Sequence, residues 1–298
     1  MDDTEFLAGQ FEAHRAHLRA VSYRMLGSLS EADDAVQEAW VRLSRSDAEE
    51  IENLGGWLTT VVARVCLNVL RRRRTRSEQP LDELRLPDPI VEPIDGGNPE
   101  HEALLADSVG LALLVVLEQL SPAERLAFVL HDMFAVPFDE IAPMVERTPE
   151  ATRQLASRAR RRVQGAAPEA PADRARQREV AEAFKAAARE GDFERLVSVL
   201  HPDVVLRADT GPGNALHVRV GAETVASQAI LFRSTAPESD TTETVLVNGA
   251  PGLMQIRGGR PFSVVAFTIS GDQIVQMDII ADPDRLARLS IDIHRLNR

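Results

Sequence analysis

The chain has 298 residues, 44% of them hydrophobic, with a formal net charge of -12 and a single cysteine. That length provides for two or three domains of ordinary size and that composition for a core in each, which excludes a disordered or fibrous chain. Cys66 alone can form neither an intramolecular disulfide nor a multi-cysteine zinc site, and no apolar run reaches the ~18 residues of a membrane span.

The opening Met1-Asp2-Asp3-Thr4-Glu5 is acidic, without the basic start and apolar centre of a secretory signal, so a cytoplasmic protein is expected. The charge is unevenly spread. Trp57 to Arg76 carries six arginines and no acid, and Thr148 to Val163 carries five arginines against Glu150 alone. By contrast, Glu31 to Glu52 holds eight acids against two arginines, and Glu78 to Asp107 holds nine against Arg85. Two basic helices in an acidic body suit a protein that touches DNA at two places, yet binds it poorly without a partner to offset its own repulsion.

In chain order, Phe11, His14, Leu18, Val21, Tyr23, Met25 and Leu26 keep helical spacing until Gly27. A second helix is expected after Ser30 as N-cap, with Ala35, Val36, Ala39, Trp40 and Leu43 as its apolar stripe. A third runs from Trp57 to about Arg74, preceded by a loop through Gly55-Gly56, so residues 1 to 76 form one helical domain. From 77 to 99, proline and acid replace the apolar periodicity, and Leu86-Pro87-Asp88-Pro89 predicts an extended, stiffened linker. Residues 100 to 164 are helical again. Ser121-Pro122-Ala123-Glu124 combines a capping serine, proline at the first helical position and an acid within reach of the cap. Thr148-Pro149-Glu150 repeats this pattern and opens a longer basic helix. A short helix at Pro137 to Ala142, a turn and that basic helix form a helix-turn-helix, whose second helix would enter the major groove. Arginine there reads guanine and glutamine reads adenine, while Ala151, Leu155 and Ala159 are expected to face the core.

After a break at Gly165 to Asp173, a helix from Arg174 to Arg189 precedes a run of strands: Val204 to Leu206, Thr244 to Val247, Leu253 to Ile256, Phe262 to Ile269 and Ile274 to Ile280. Residues 174 to 298 therefore read as an α+β domain with a curved sheet around a helix.

Several segments together resemble a known family. Phe128 to Asp132, Pro137 to Ala142 and Ala151 to Arg160 are similar to the fourth region of extracytoplasmic-function sigma factors. Glu31 to Trp40 and Trp57 to Arg64 are similar to their second region, in the correct order and about a hundred residues earlier. The linker and strand-rich tail are similar to the subgroup with a fused SnoaL-like domain. The resemblance implies a multidomain chain: two all-α sigma domains, the second with a helix-turn-helix, then an α+β SnoaL-like cone with a curved antiparallel sheet. It implies a non-enzymatic factor that binds core RNA polymerase and directs promoter-specific initiation, with the tail modulating activity in cis.

The resemblance also implies roles. Asp34, Gln37 and Glu38 would bind polymerase; Glu52, Asn53 and Gly56 would form a pocket for a flipped minus-ten base; Thr60, Arg64, Asn68 and Arg71 would line the melted strand. Arg153, Gln154, Ser157, Arg158 and Arg161 would read the minus-thirty-five element. Where the family often has a glycine before the recognition helix, this chain has Val145-Glu146-Arg147. In the tail, Asp209, Asp278, Asp282 and Asp284 are candidates for a regulatory pocket or linker contact, and a small ligand there is a further candidate partner. No metal or cofactor is expected, nor a membrane partner. His201, Asp203, Asp209, His217 and Asp278 are polar groups near strands, and Asp278 fits either a pocket position or outward alternation. Two other readings stay open at this point, a stand-alone helix-turn-helix regulator and a bifunctional protein with an isomerase-like tail.

Overall fold

A computed structural model describes residues 3–46, 51–76, 85–94, 110–166, 173–211 and 213–289. The expected linker residues 77–84 and 95–99, the helical start at 100–109, the break at 167–172 and Pro212 lie outside the described residues. The chain divides into two units, one of residues 1–79, 99–107 and 113–166, the other of 80–98, 108–112 and 167–298.

In the first unit, α1 (Asp3–Leu26), α2 (Leu29–Leu43) and α3 (Leu54–Arg76) pack on one another. Gly27 ends α1 in the left-handed region at φ 68°, which glycine adopts without steric cost. The bundle core is Leu18, Val21, Met25, Val36, Leu43, Leu58, Val62 and Cys66, all buried. Burial pushes the Cys66 thiol up to about 12, so it remains a protonated packing residue. Arg19 clasps Asp33 at 2.6 Å, and Arg73 bonds both Glu31 and the Leu26 carbonyl, tying the three helices at their ends. The second helix begins two residues earlier than expected: Ser28 is its N-cap and Ser30 lies in the first turn.

The same unit continues with α4 (Leu111–Glu118) from residue 113 onward, α5 (Pro122–Phe128), a π-turn over Val129–Met133, α6 (Phe138–Val145) and α7 (Pro149–Ala166). Ser121 caps α5 as expected, and Glu124 closes the capping box. Pro143 inside α6 and Glu146 in the left-handed region, φ 56°, end that helix and turn the chain into α7.

In the second unit, α8 (Arg174–Glu190) and α9 (Phe193–Val199) precede β2 (Leu200–Asp209), β3 (His217–Val220) and α10 (Ala222–Thr235). The strands β4 (Thr241–Val247), β5 (Ala250–Arg257), β6 (Arg260–Ser270) and β7 (Gln273–Ile280) then form a meander, followed by α11 (Pro283–Leu286). Together with β1 (Val91–Pro93) they make a seven-stranded sheet in the order β1-β4-β5-β6-β7-β2-β3. Its pairs are antiparallel except β2 with β7, which run parallel, so the sheet is the expected curved, mainly antiparallel one. One face of the sheet packs on the helices through Phe184, Leu206, Leu253, Val265, Phe267 and Met277. Phe184 and Phe267 meet edge-on at 5.4 Å. At the β4–β5 turn Asn248 and Gly249 both have positive φ, 50° and 78°, the geometry a two-residue hairpin requires. Among the described residues no helix is long and apolar enough to cross a membrane.

Candidate nucleic-acid and polymerase interfaces

The amphipathic spacing of α2 buries Ala32, Ala35, Val36, Ala39 and Leu43 and leaves Asp34, Gln37 and Glu38 exposed on the opposite side. Residues three and four apart on a helix are neighbours, so these three form one acidic and polar patch. Glu38 also pairs with Arg42 at 2.9 Å.

The third helix starts earlier than its sequence suggests. Asn53 is its cap: its side-chain oxygen accepts from the Gly56 amide and its carbonyl from the Trp57 amide, each at 3.0 Å. Gly55 and Gly56 therefore lie in the first helical turn and not in a loop, because the asparagine outcompetes the glycines' low helix propensity. A Cβ on Gly56 would come within 2.8 Å of the Asn53 amide nitrogen, and one on Gly55 within 3.0 Å of the His14 ring. Glu52 and Asn53 are exposed immediately before this turn. Along α3, Arg64, Asn68 and Arg71 are exposed and Thr60 is half-buried, its hydroxyl donating to the Gly56 carbonyl at 3.0 Å. Steps of four, four and three residues place them on one stripe, opposite the core residues Leu58, Val62 and Cys66.

In α7 the core face is Thr152, Ala156 and Ala159, all buried. Ala151 and Leu155, expected inside, are only half-buried. The inward face is rotated by one residue from the expected one, since alanines on both sides of the helix leave its apolar stripe ambiguous in the sequence. Gln154, Ser157, Arg158 and Arg161 point outward, and Arg153 lies on the flank with its guanidinium 5.3 Å from the Phe138 ring centre. Phe138 is stacked in turn on His131 at 3.8 Å. Three arginines of α7 are engaged from behind. Arg158 and Arg162 both bond Glu124, at 3.2 Å and 3.0 Å, and Arg160 bonds Asp132. Sequence spacing could not disclose these pairs, whose partners lie 28 to 38 positions away.

Within this first unit the helix-turn-helix half packs on the three-helix half. Arg125, 1% exposed, donates through Nε to the Arg24 carbonyl at 3.1 Å and pairs with Glu118 at 2.8 Å. Arg24 lies over the Phe134 ring at 4.9 Å, and His17 meets the same ring edge-on at 5.2 Å. Arg71 of the α3 stripe lies 3.6 Å from Glu146, in the turn before α7.

In the second unit the candidate acids occupy a clasp on the linker segment. Asp209, 4% exposed, accepts from the Leu86 amide at 3.1 Å, the Gly211 amide at 3.0 Å and Arg285 at 2.7 Å. Arg285 also donates to Asp88 and to the Leu86 carbonyl, each at 2.7 Å. Asp282 caps α11 through the amides of Asp284 and Arg285 and lies 3.6 Å from Arg85. Asp284 is exposed, and its amide donates to the Asp282 carboxylate at 3.0 Å. Gly211 sits at φ 103°, a conformation strained for any residue with a side chain, and a Cβ there would fall 3.1 Å from the Asp282 carboxyl carbon. Beyond the clasp, β1 joins β4 as an edge strand, a pairing the proline-rich sequence concealed.

Asp278 belongs elsewhere. Its neighbours Met277 and Ile279 pack with the helices, whereas Asp278 is on the other face, 1% exposed, bonded by Arg207 at 2.7 Å and 3.0 Å and by Gln276 at 2.6 Å. Strand alternation holds, but the acid is buried in an ion pair and not exposed. His217 and Asp203 are exposed, and His201 accepts from the Asp203 amide at 3.2 Å.

The chain matches the family Sigma-70 region 2 over residues 10–76 and Sigma-70, region 4 over residues 110–163. It is 37% identical to the ECF RNA polymerase sigma factor SigJ of Mycobacterium tuberculosis over 289 residues, covering 93% of this chain and 92% of that protein. It is 32% identical to "Probable ECF RNA polymerase sigma factor SigI" of the same organism over 98% of this chain and 99% of that one. The crystal structure of Mycobacterium tuberculosis SigJ superimposes with a TM-score of 0.74 at 33% identity, over 96% of this chain and 100% of that chain.

Proposed function

We propose that this chain, which belongs to the extracytoplasmic-function RNA polymerase sigma factors and directs transcription initiation, engages core polymerase through Asp34, Gln37 and Glu38 and reads promoter DNA with two separate helices. The stripe Thr60, Arg64, Asn68 and Arg71 on α3, with Glu52, Asn53 and the tight first turn at Gly56, takes the minus-ten strand. The outward face of α7, with Arg153, Gln154, Ser157, Arg158 and Arg161, takes the minus-thirty-five element in the major groove. The single observation carrying this reading is that both arginine stripes are exposed, each backed by a buried apolar face of its own helix.

The distance between the two elements makes a further demand. About 25 base pairs at about 3.4 Å each place them roughly 80 Å apart along the duplex. In the first unit Arg71 lies 3.6 Å from the turn leading into α7. The two halves must therefore separate on the promoter, and a protein of net charge -12 gains little from DNA alone to drive this. Docking on polymerase supplies the missing free energy by binding the separated arrangement better than the packed one.

The tail acts in cis in this scheme, because the segment it clasps, Arg85 to Pro93, joins the two sigma regions. Asp209 and Asp278, the acids a base-catalysed reaction would call on, are each held by an arginine, which favours a regulatory tail over an isomerase-like one. A small ligand would bias the clasp only by binding one arrangement better.

The test is transcription by core polymerase from promoter templates with and without the chain. Defined promoter-directed transcripts that vanish on Arg64→Ala with Asn68→Ala support the assignment. Tight, specific duplex binding by the isolated chain with no response from polymerase would support a stand-alone regulator instead.

A further inference from the structure

Glu124 is 6% exposed at the third position of α5. Its Oε2 accepts from the Ser121 hydroxyl at 2.7 Å and the Ser121 amide at 3.1 Å, which completes the cap. A capping box needs one acceptor oxygen, and glutamine serves as well as glutamate. Here the same carboxylate also receives Arg158 Nε at 3.2 Å and Arg162 Nη1 at 3.0 Å, from a helix more than thirty positions later. Burial by itself would raise its pKa, but the Ser121 hydroxyl and amide and then the Arg158 and Arg162 guanidinium groups outweigh it and hold the carboxyl below its ordinary range.

The bond to Arg158 uses the Nε edge of the guanidinium. Among the described residues no bond engages its two Nη groups, the fork that spans guanine O6 and N7, and the side chain is 48% exposed on the outward face of α7. An arginine already held in one orientation does not lose that rotamer freedom on meeting the base, so the free-energy cost of ordering falls on folding and not on binding. Arg162, one turn further along the helix, has its charge offset by the same carboxylate.

We propose that Glu124 is a positioning residue for minus-thirty-five recognition: by holding the Nε edge of Arg158 it aims the Nη edge at one guanine and thereby sets the base preference at a single position of that element. This deepens the assignment of α7 as the minus-thirty-five reader and rests on it.

The probe is a duplex promoter library, randomised over the minus-thirty-five hexamer and selected by holoenzyme assembled from the full chain and core polymerase. Arg158→Ala identifies the position it reads by flattening one column of the wild-type preference. Glu124→Gln, which keeps a cap acceptor, should reduce the preference at that same column about tenfold and leave the other columns unchanged. Glu124→Asp keeps the charge but falls short of Arg158, and should act in the same direction if the glutamine variant does not fold. In an Arg158→Ala background Glu124→Gln should have no further effect on that column. Ser121→Ala is the structural control and should lower the melting temperature without changing any column.

A uniform loss of affinity with unchanged preferences in the Glu124 variants, or flattening by Ser121→Ala to the same extent, would overturn the proposal and leave the sigma assignment intact. A wild-type holoenzyme that selects no hexamer at all would overturn both.

Discussion

Asn248 holds Ile90 by two reciprocal hydrogen bonds, its side-chain oxygen accepting from the Ile90 amide at 3.1 Å and its amide donating to the Ile90 carbonyl at 2.8 Å. The pair joins a turn of the tail sheet to the segment between the sigma regions, 158 positions away. Asn248 is 2% exposed and sits at φ 50°, a conformation that asparagine tolerates better than most residues. Asn248→Ala removes the acceptor, leaves a buried amide short of a partner and adds backbone strain, for a loss of about 2 kcal/mol. Faster hydrogen exchange at the amides from Leu86 to Val91 is the expected readout, and protection equal to wild type would show that the segment is held without this residue.

Arg285 is the centre of the clasp, bonded to Asp209, Asp88 and the Leu86 carbonyl, with 11% of its side chain exposed. Removing it leaves Asp209 buried and uncompensated, so Arg285→Ala should cost about 3 kcal/mol in thermal or denaturant unfolding. Arg285→Lys should recover little, because an ammonium cannot reproduce three directions of a planar fork. Full recovery by lysine would reduce the clasp to simple charge balance.

Glu146 ends α6 in the left-handed region, where a side chain carries a cost and glycine does not. Its pair with Arg71 at 3.6 Å is exposed and contributes little. Glu146→Gly should therefore raise stability, by about 1 kcal/mol. A lower melting temperature would mean that the ion pair outweighs the strain.

His17 touches Phe134 and lies 3.3 Å from the Thr59 hydroxyl, with His14 and Arg24 as the charged groups around it. Burial lowers its pKa from 6.5, and the fields of His14 and then Arg24 lower it further. The folded state thus binds this proton less readily than the unfolded state does. The stabilisation is complete above the unfolded value and is lost as pH falls through about 6.5 towards the lower folded one. Unfolding midpoints of wild type and His17→Gln, compared between about pH 7.5 and pH 5.5, should show a steeper acid loss for wild type. Parallel curves would assign the acid response to other groups.

Arg161 is outward on α7 and Arg160 is tied to Asp132. Arg161→Ala should weaken holoenzyme binding to promoter DNA about tenfold, whereas Arg160→Ala should act mainly on stability. The comparison is made by filter or fluorescence binding at fixed salt, beside melting curves. Equal DNA effects from the two variants would contradict the face assigned to the helix.

Much of the sigma half is legible in the sequence because its determinants are local. The run of apolar residues at helical spacing in α1 and α2, Gly27 after α1, and the Ser121-Pro122 and Thr148-Pro149 starts each act within one or two turns of the chain. The stripe from Thr60 to Arg71 is visible for the same reason. Expectation and structure part where local signals compete: Asn53 draws two glycines into a helix that they would not start themselves, and alanines on both sides of α7 put its inward face one residue out.

The sequence by itself determined the order of the helical modules, the placement of their arginine stripes and the strand character of the tail, since helix and strand periods, caps and breakers are properties of neighbouring residues. Only the tertiary structure decided that a proline-rich linker becomes the edge strand β1, that Asp209 meets Arg285 and Leu86, that Asp278 is buried against Arg207, and that Glu124 braces Arg158. Those pairings join residues tens to hundreds of positions apart, and the free energy that selects them comes from removing charges and backbone amides from water together, which no local pattern records.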